Sequence, residues 1–150
     1  MSEILSGGCA CGQLRYTWTA GIKFRIYACH CKDCQTRSGS AFALQMGTMA
    51  NDLSVLGNTI EGKIVQPSGA VATQFACPQC LTRVYASNDQ RPGYLTVRAG
   101  TLDDSNSITP AFHLWVKSKQ PWVVIPDGVP TLVTQPTNQA EWMPLLLGTT

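Results

Sequence analysis

The chain has 150 residues, 44% of them apolar, and eleven basic against nine acidic residues leave a formal charge of +2. That length is one domain's worth, and the apolar fraction is enough to bury a core unaided. So small a charge does not gather a polyanion, no run approaches the roughly 18 apolar residues of a membrane span, and Met1 to Ser6 lacks a basic start leading into an apolar stretch. A soluble, cytoplasmic protein is expected, forming a single domain over residues 1–150 with neither nucleic acid nor membrane as partner.

Period-two alternation of apolar and polar residues predicts strands over residues 14–19, 24–28, 41–46, 71–75, 94–98, 111–116 and 122–125. Turn chemistry separates them at Pro67-Ser68-Gly69, Arg91-Pro92-Gly93, Asp103-Asp104-Ser105-Asn106 and Pro126-Asp127-Gly128. Helix is expected to be scarce. Residues 32–38 fit a short helix ended by Gly39, and residues 140–147 are ambiguous because Pro144 interrupts them. Residues 131–137, rich in Thr and Pro, read as a tail that wraps the domain. The fold is therefore mostly β.

Seven cysteines is an odd number in a chain without an export signal, which argues against a complete disulfide framework and for metal-bound thiolates. They also cluster, as Cys9-Ala10-Cys11, Cys29-His30-Cys31-Lys32-Asp33-Cys34 and Cys77-Pro78-Gln79-Cys80. Cysteines used as small apolar side chains would scatter. Pairs one or two residues apart let one turn place two sulfurs about a metal, and a structural zinc wants four such ligands. In Cys77-x-x-Cys80, Pro78 presets φ for the turn, and Phe75 and Tyr85 fit strands on either side. Around Cys9-x-Cys11, Gly7, Gly8 and Gly12 let the backbone close to the ion. Taken singly, each pair also reads as a redox or buried cysteine pair; taken together they make a four-cysteine zinc site.

The remaining group, Cys29-His30-Cys31-x-x-Cys34, supplies three sulfurs. Three protein ligands with a free fourth position are the pattern of a catalytic zinc. Three reactive thiols without metal are the other reading. His30 alternates with the ligands, so its side chain should point away from theirs, as a packed residue beside the site.

Gly8-Cys9-Ala10-Cys11-Gly12 with Arg15-Tyr16, Cys29-His30-Cys31-x-x-Cys34 followed by Ser38-Gly39-Ser40-Ala41-Phe42, and Phe75-x-Cys77-x-x-Cys80 form a set of three ordered stretches. Together they resemble the glutathione-dependent formaldehyde-activating enzyme family, also named for centromere protein V. Arg98 to Asp104, His113-x-Trp115 and Ser118-Lys119-x-x-Trp122 are similar to bacterial members. The resemblance covers about residues 7–125, leaving 126–150 as a C-terminal tail. It implies a β-tent of layered antiparallel sheets, a structural zinc on Cys9, Cys11, Cys77 and Cys80, and a second, labile catalytic zinc on Cys29, Cys31 and Cys34. It also implies carbon–sulfur lyase chemistry, joining a thiol such as glutathione to formaldehyde or a related aldehyde, like an S-(hydroxymethyl)glutathione synthase. One departure is Leu81, where the family commonly has glycine; a side chain there must avoid φ > 0 or strain into it.

Three thiolates on zinc suit activation of a substrate thiol better than activation of water, since the site carries net negative charge. Lys32, Arg37 and Arg98 are the cations to consider for glutathione's carboxylates. Asp103 and Asp104 read as turn caps, His113 as a satisfied strand histidine, and Trp115 and Trp122 as core aromatics. Two rival functions fit the same residues: a noncatalytic zinc-stabilised binding module, and a thiol redox or metal-buffering protein.

Overall fold

The computed structural model describes residues 3–148. In chain order the elements are β1 (Glu3–Gly8), β2 (Arg15–Ala20), β3 (Tyr27–Cys29), α1 (Lys32–Ser38), β4 (Ala43–Met49), β5 (Leu53–Leu56), β6 (Ile60–Val65), β7 (Val71–Ala76), β8 (Arg83–Asn88), β9 (Tyr94–Arg98), β10 (Phe112–Leu114) and α2 (Gln139–Leu147), with short 3₁₀ turns between. The protein is mostly β, built on antiparallel sheets, as expected. It divides into two compact units, one of residues up to 23 plus 47–107, the other of residues 24–46 plus 108 onward.

The first unit holds the antiparallel sheet β1-β2-β5 and the meander β6-β7-β8-β9. Along β2 the alternation works as a strand should: Tyr16 and Trp18 are buried while Thr17 and Thr19 face water. The same period buries Ala72 and Gln74 on β7 and Val84 and Ala86 on β8. Phe75 lies opposite Tyr85 across these two strands, rings stacked with centroids 4.5 Å apart. The register shifts immediately after, between Phe75 and Ala76, and the chain turns into the Cys77 loop.

The second unit is built on β3, which pairs parallel with β10 and antiparallel with β4. All residues of β3 and β10 are buried, as befits a parallel pair covered on both faces. Residues 130–134 run along β10: His113 N–H donates to the Pro130 carbonyl, Leu132 N–H to that of His113, and Trp115 N–H to that of Thr134. Helix α1 starts at Cys31, which caps it, and stops at Gly39 with φ 65°. Helix α2 continues through Pro144, whose missing N–H costs one helical bond. Its ends are fixed by Asn138, which accepts from the Glu141 N–H, and by Gly148 at φ 76°. Buried Trp142 and Leu146 anchor its inner face, Trp142 against Tyr27.

Several expectations fail, among them the strand over 111–116, which forms only over Phe112–Leu114, and Trp115 as core, since it is half-buried. Residues 122–125 form no strand, and the Lys119 ammonium donates to the Val123 carbonyl at 2.7 Å there. Trp122 is not core: it is 70% exposed, its indole N–H bonded to Gln120. The stretch 24–28 is a strand only from Tyr27.

Candidate metal centre

Within the first unit, the Sγ atoms of Cys9, Cys11, Cys77 and Cys80 all lie within 4.8 Å of one another. Cys9 to Cys11 is 3.6 Å and Cys11 to Cys77 is 3.7 Å. Zinc–sulfur bonds of about 2.3 Å put tetrahedral sulfurs about 3.8 Å apart, so this group can hold such an ion. Two tight loops make the arrangement. In the first, Cys9 N–H donates to Leu14 O and Gly12 N–H to Cys9 O, with Gly12 at φ 81°. In the second, Cys77 N–H donates to Thr82 O and Leu81 N–H to Cys77 O.

The sulfurs are surrounded by donors. Cys77 accepts from the Gln79 and Cys80 amides at 3.4 and 3.5 Å and from the Gln13 side chain at 3.2 Å. Cys9 accepts from the Leu14 amide, and Cys80 lies 3.2 Å from the Thr82 hydroxyl. The Thr82 bond and the neighbouring amides pull the Cys80 thiol down to about 5. Burial works upward on Cys77, but its three N–H donors leave it below the usual thiol range. Leu81 does strain into the left-handed region, at φ 64° with its side chain 67% exposed. Gln13 is a member of this site that sequence reasoning missed. Its only signal was proximity to Cys11, because the contact with Cys77 is made through the fold.

Within the second unit, the Sγ atoms of Cys29, Cys31 and Cys34 also lie within 4.8 Å of one another. Cys29 ends β3, Cys31 caps α1, and Cys34 sits in the first turn, where its amide donates back to the Cys31 sulfur at 3.3 Å. The Cys29 and Cys34 thiols, then the Cys34 and Asp33 amides, drive Cys31 well down, while the Cys31 and Cys34 thiols, then burial, push Cys29 well up. One thiolate is thus favoured without a cation, and a divalent ion lets all three ionise. A soft donor set of this spacing fits zinc. Gln45 donates to Cys34 Sγ at 3.4 Å and accepts the Tyr27 hydroxyl at 3.2 Å.

His30 points away from the thiols, as its alternation predicts, and is fully buried. Its Nε2 meets His113 Nδ1 at 2.8 Å, its ring packs on Phe42, and Gln35 ties its carbonyl to that of Ser118. Burial, then His113 and Lys119, lower His30 to about 4, and burial lowers His113. Lys32 is exposed and Arg37 half-buried on α1. Arg98 belongs to the first unit, where it and Arg83 both donate to Gln74 Oε1. Asp103 does more than end a turn, since it takes both arms of Arg15 at 2.8 and 2.5 Å; the Asp104 carboxylate accepts the Ser107 hydroxyl at 3.0 Å.

Antiparallel sheets carrying one cluster of four thiols and another of three define a class of small β proteins equipped to bind metal through sulfur. The chain belongs to the glutathione-dependent formaldehyde-activating enzyme family, whose pattern matches residues 4–118. It is 23% identical over 127 residues, 81% of each chain, to a Halomonas elongata protein named "Putative glutathione-dependent formaldehyde-activating enzyme". The crystal structure of a Rhodobacter sphaeroides protein shares the fold, with a TM-score of 0.52, 19% identity, and coverage of 67% of this chain and 89% of that one.

Proposed function

We propose that the protein is a zinc-dependent carbon–sulfur lyase, joining a thiol such as glutathione to formaldehyde or a related small aldehyde, or cleaving that bond in reverse. The observation that carries the reading is the cluster of Cys29, Cys31 and Cys34: three sulfurs at a strand end and a helix start, one fewer than a closed zinc site uses. Cys29, Cys31 and Cys34 would hold a zinc ion, which would supply the Lewis acidity that lets a substrate thiol ionise near neutral pH. Cys9, Cys11, Cys77 and Cys80 would hold a second, structural ion. Both clusters need reduced thiols, which fits a cytoplasmic setting.

The chemistry balances without a redox partner. The substrate sulfur forms a bond to the aldehyde carbon, the carbonyl π pair moves to oxygen, and the proton lost by the thiol ends on that oxygen as the hydroxymethyl group. The chain's part is to hold and orient. The Cys34 amide and the Gln45 side chain donate to the thiolates, reducing their charge, and Tyr27 fixes the Gln45 amide through its oxygen. Lys32 and Arg37, on the helix that carries Cys34, supply positive charge for a carboxylate-bearing thiol.

The test is cobalt substitution. With cobalt in the three-cysteine site, glutathione should change the sulfur-to-metal charge-transfer absorption, by adding a sulfur ligand or by stripping the metal; an analogue with hydroxyl in place of thiol should not. Adduct formation from glutathione and formaldehyde, followed by NMR, should depend on the same metal. A spectrum indifferent to saturating thiol overturns the reading and leaves a metal-stabilised binding module.

A further inference from the structure

The outer strand of the meander, β6, is exposed along nearly its whole length, with Ile60 45% and Val65 72% exposed. Its pairing with β7 leaves one row of backbone groups unused. Gln66 N–H donates to Ala70 O, so that residue faces β7, whereas Val71 exchanges bonds with Asp89 and so turns away from its partner Val65. In an antiparallel ladder such pairs alternate, which directs the N–H and C=O groups of Glu61, Lys63 and Val65 outward. Among the described residues none of these groups has a hydrogen-bond partner, and neither Glu61 nor Lys63 has an ion-pair partner.

The sequence of this edge, Ile60-Glu61-Gly62-Lys63-Ile64, is complementary to itself when reversed about Gly62. The geometry points to a second copy of this chain as the partner, docked β6 against β6 in antiparallel register with the two-fold axis through Gly62. Glu61 then lies opposite Lys63 of the second copy, and Lys63 opposite Glu61. These are the residues whose backbone groups face outward, so each such pair exchanges two N–H···O=C bonds while its side chains form an opposite-charge cross-strand pair. On the other face Ile60 lies opposite Ile64 of the second copy. Gly62 is otherwise hard to place: it weakens a strand interior, has no positive φ, and a Cβ built on it meets nothing within 4 Å. On the axis, two such glycines leave room for the isoleucines to close together. A lysine on an edge ordinarily discourages pairing, but here a glutamate two residues away answers it. A contact of one strand is small against a standard interface of about 800 Å² per partner, so the dimer forms and dissociates with concentration.

Sedimentation equilibrium on the full, zinc-loaded chain tests this. Wild type should dimerise with concentration, and Lys63→Glu and Glu61→Lys should each weaken self-association about tenfold or more, by setting like charges opposite each other. An equimolar mixture of the two variants should dimerise again, since each then faces opposite charges. Circular dichroism and zinc content check that both variants fold. A wild-type chain that stays monomeric up to about 1 mM, single variants that associate like wild type, or a mixture that stays monomeric would each overturn the proposal.

Discussion

Gln13 donates from Nε2 to the Sγ of Cys77 at 3.2 Å. The same side chain holds the turn between β5 and β6, donating to Asn58 O at 3.1 Å and accepting its N–H at 2.6 Å. One amide thus joins a sulfur of the four-cysteine cluster to a loop distant in sequence. Groups that orient metal ligands are typically worth about 10–100-fold in metal affinity. Gln13→Ala is expected to weaken zinc about tenfold in competition with a chromophoric chelator. Gln13→Glu should weaken it more, because a carboxylate cannot donate and adds charge beside thiolates. An unchanged affinity in Gln13→Ala would make the bond incidental.

Leu81 offers a stabilising change. Its φ of 64° costs about 1 kcal/mol for a residue with a Cβ, and its exposed side chain repays little of that through packing. Leu81→Gly removes the strain but adds freedom to the unfolded chain, so a net gain of under about 1 kcal/mol is expected. Leu81→Val, β-branched, should lose stability at the same place. Thermal unfolding in saturating zinc compares the three; a glycine variant less stable than wild type would show that the leucine makes a contact worth more than its strain.

Much of this was legible from the sequence because spacing and backbone rules are local. The short helix over 32–38 and its stop at Gly39 follow from a few adjacent residues, whereas the question of strain at Leu81 arose only from comparison with the family's usual glycine. The strands at 53–56 and 60–65 were not legible, because β6 is exposed on both faces and carries glycine, so no alternation marks it. Nor was β1, which ends in Gly7 and Gly8. Gly7 is required by a distant neighbour, since a Cβ there would lie 2.3 Å from the Tyr16 hydroxyl. Trp122 misled for the opposite reason: aromatic character speaks for burial, but the chain around it forms turns, and its indole is satisfied by Gln120 at the surface. The pairing of His30 with His113 and of Gln13 with Cys77 is tertiary, and no local pattern encodes it.

The histidine pair predicts a pH dependence. Between His30 Nε2 and His113 Nδ1, one nitrogen donates and the other accepts, an arrangement suited to neutral rings. His30 is lowered to about 4 by burial, then by His113 and Lys119, against 6.5 in an unfolded chain. In that window the unfolded chain binds the extra proton, so stability is full above pH 6.5 and falls as pH drops towards 4. The loss is at most of order 3 kcal/mol. Nitrogen-detected NMR of the imidazoles should find His30 neutral at pH 5, where an unfolded histidine is protonated; a midpoint near 6.5 would refute this.

The two cysteine clusters should answer differently to the same substitution. Cys11 and Cys77 are 66 residues apart in sequence, so an ion held between them closes a long loop of the chain, and structural zinc supplies on the order of 10–16 kcal/mol of apparent binding free energy. Cys77 is fully buried. Cys77→Ser or Cys9→Ser replaces a soft anionic ligand with a hydroxyl, and either variant is expected to lose cooperative unfolding and most soluble yield. Cys31→Ser should not, because serine is itself a favoured helix cap and its oxygen can take the bond that the Cys34 amide now gives to sulfur. The Cys31→Ser protein should therefore melt cooperatively, retain about one zinc where wild type is expected to hold about two, and lose adduct formation. A mild chelator applied to wild type should reproduce that state, removing the three-cysteine ion first and leaving the fold. Collapse of both variants alike, or loss of both ions together, would show that the clusters do not divide into one that holds the chain and one that meets substrate.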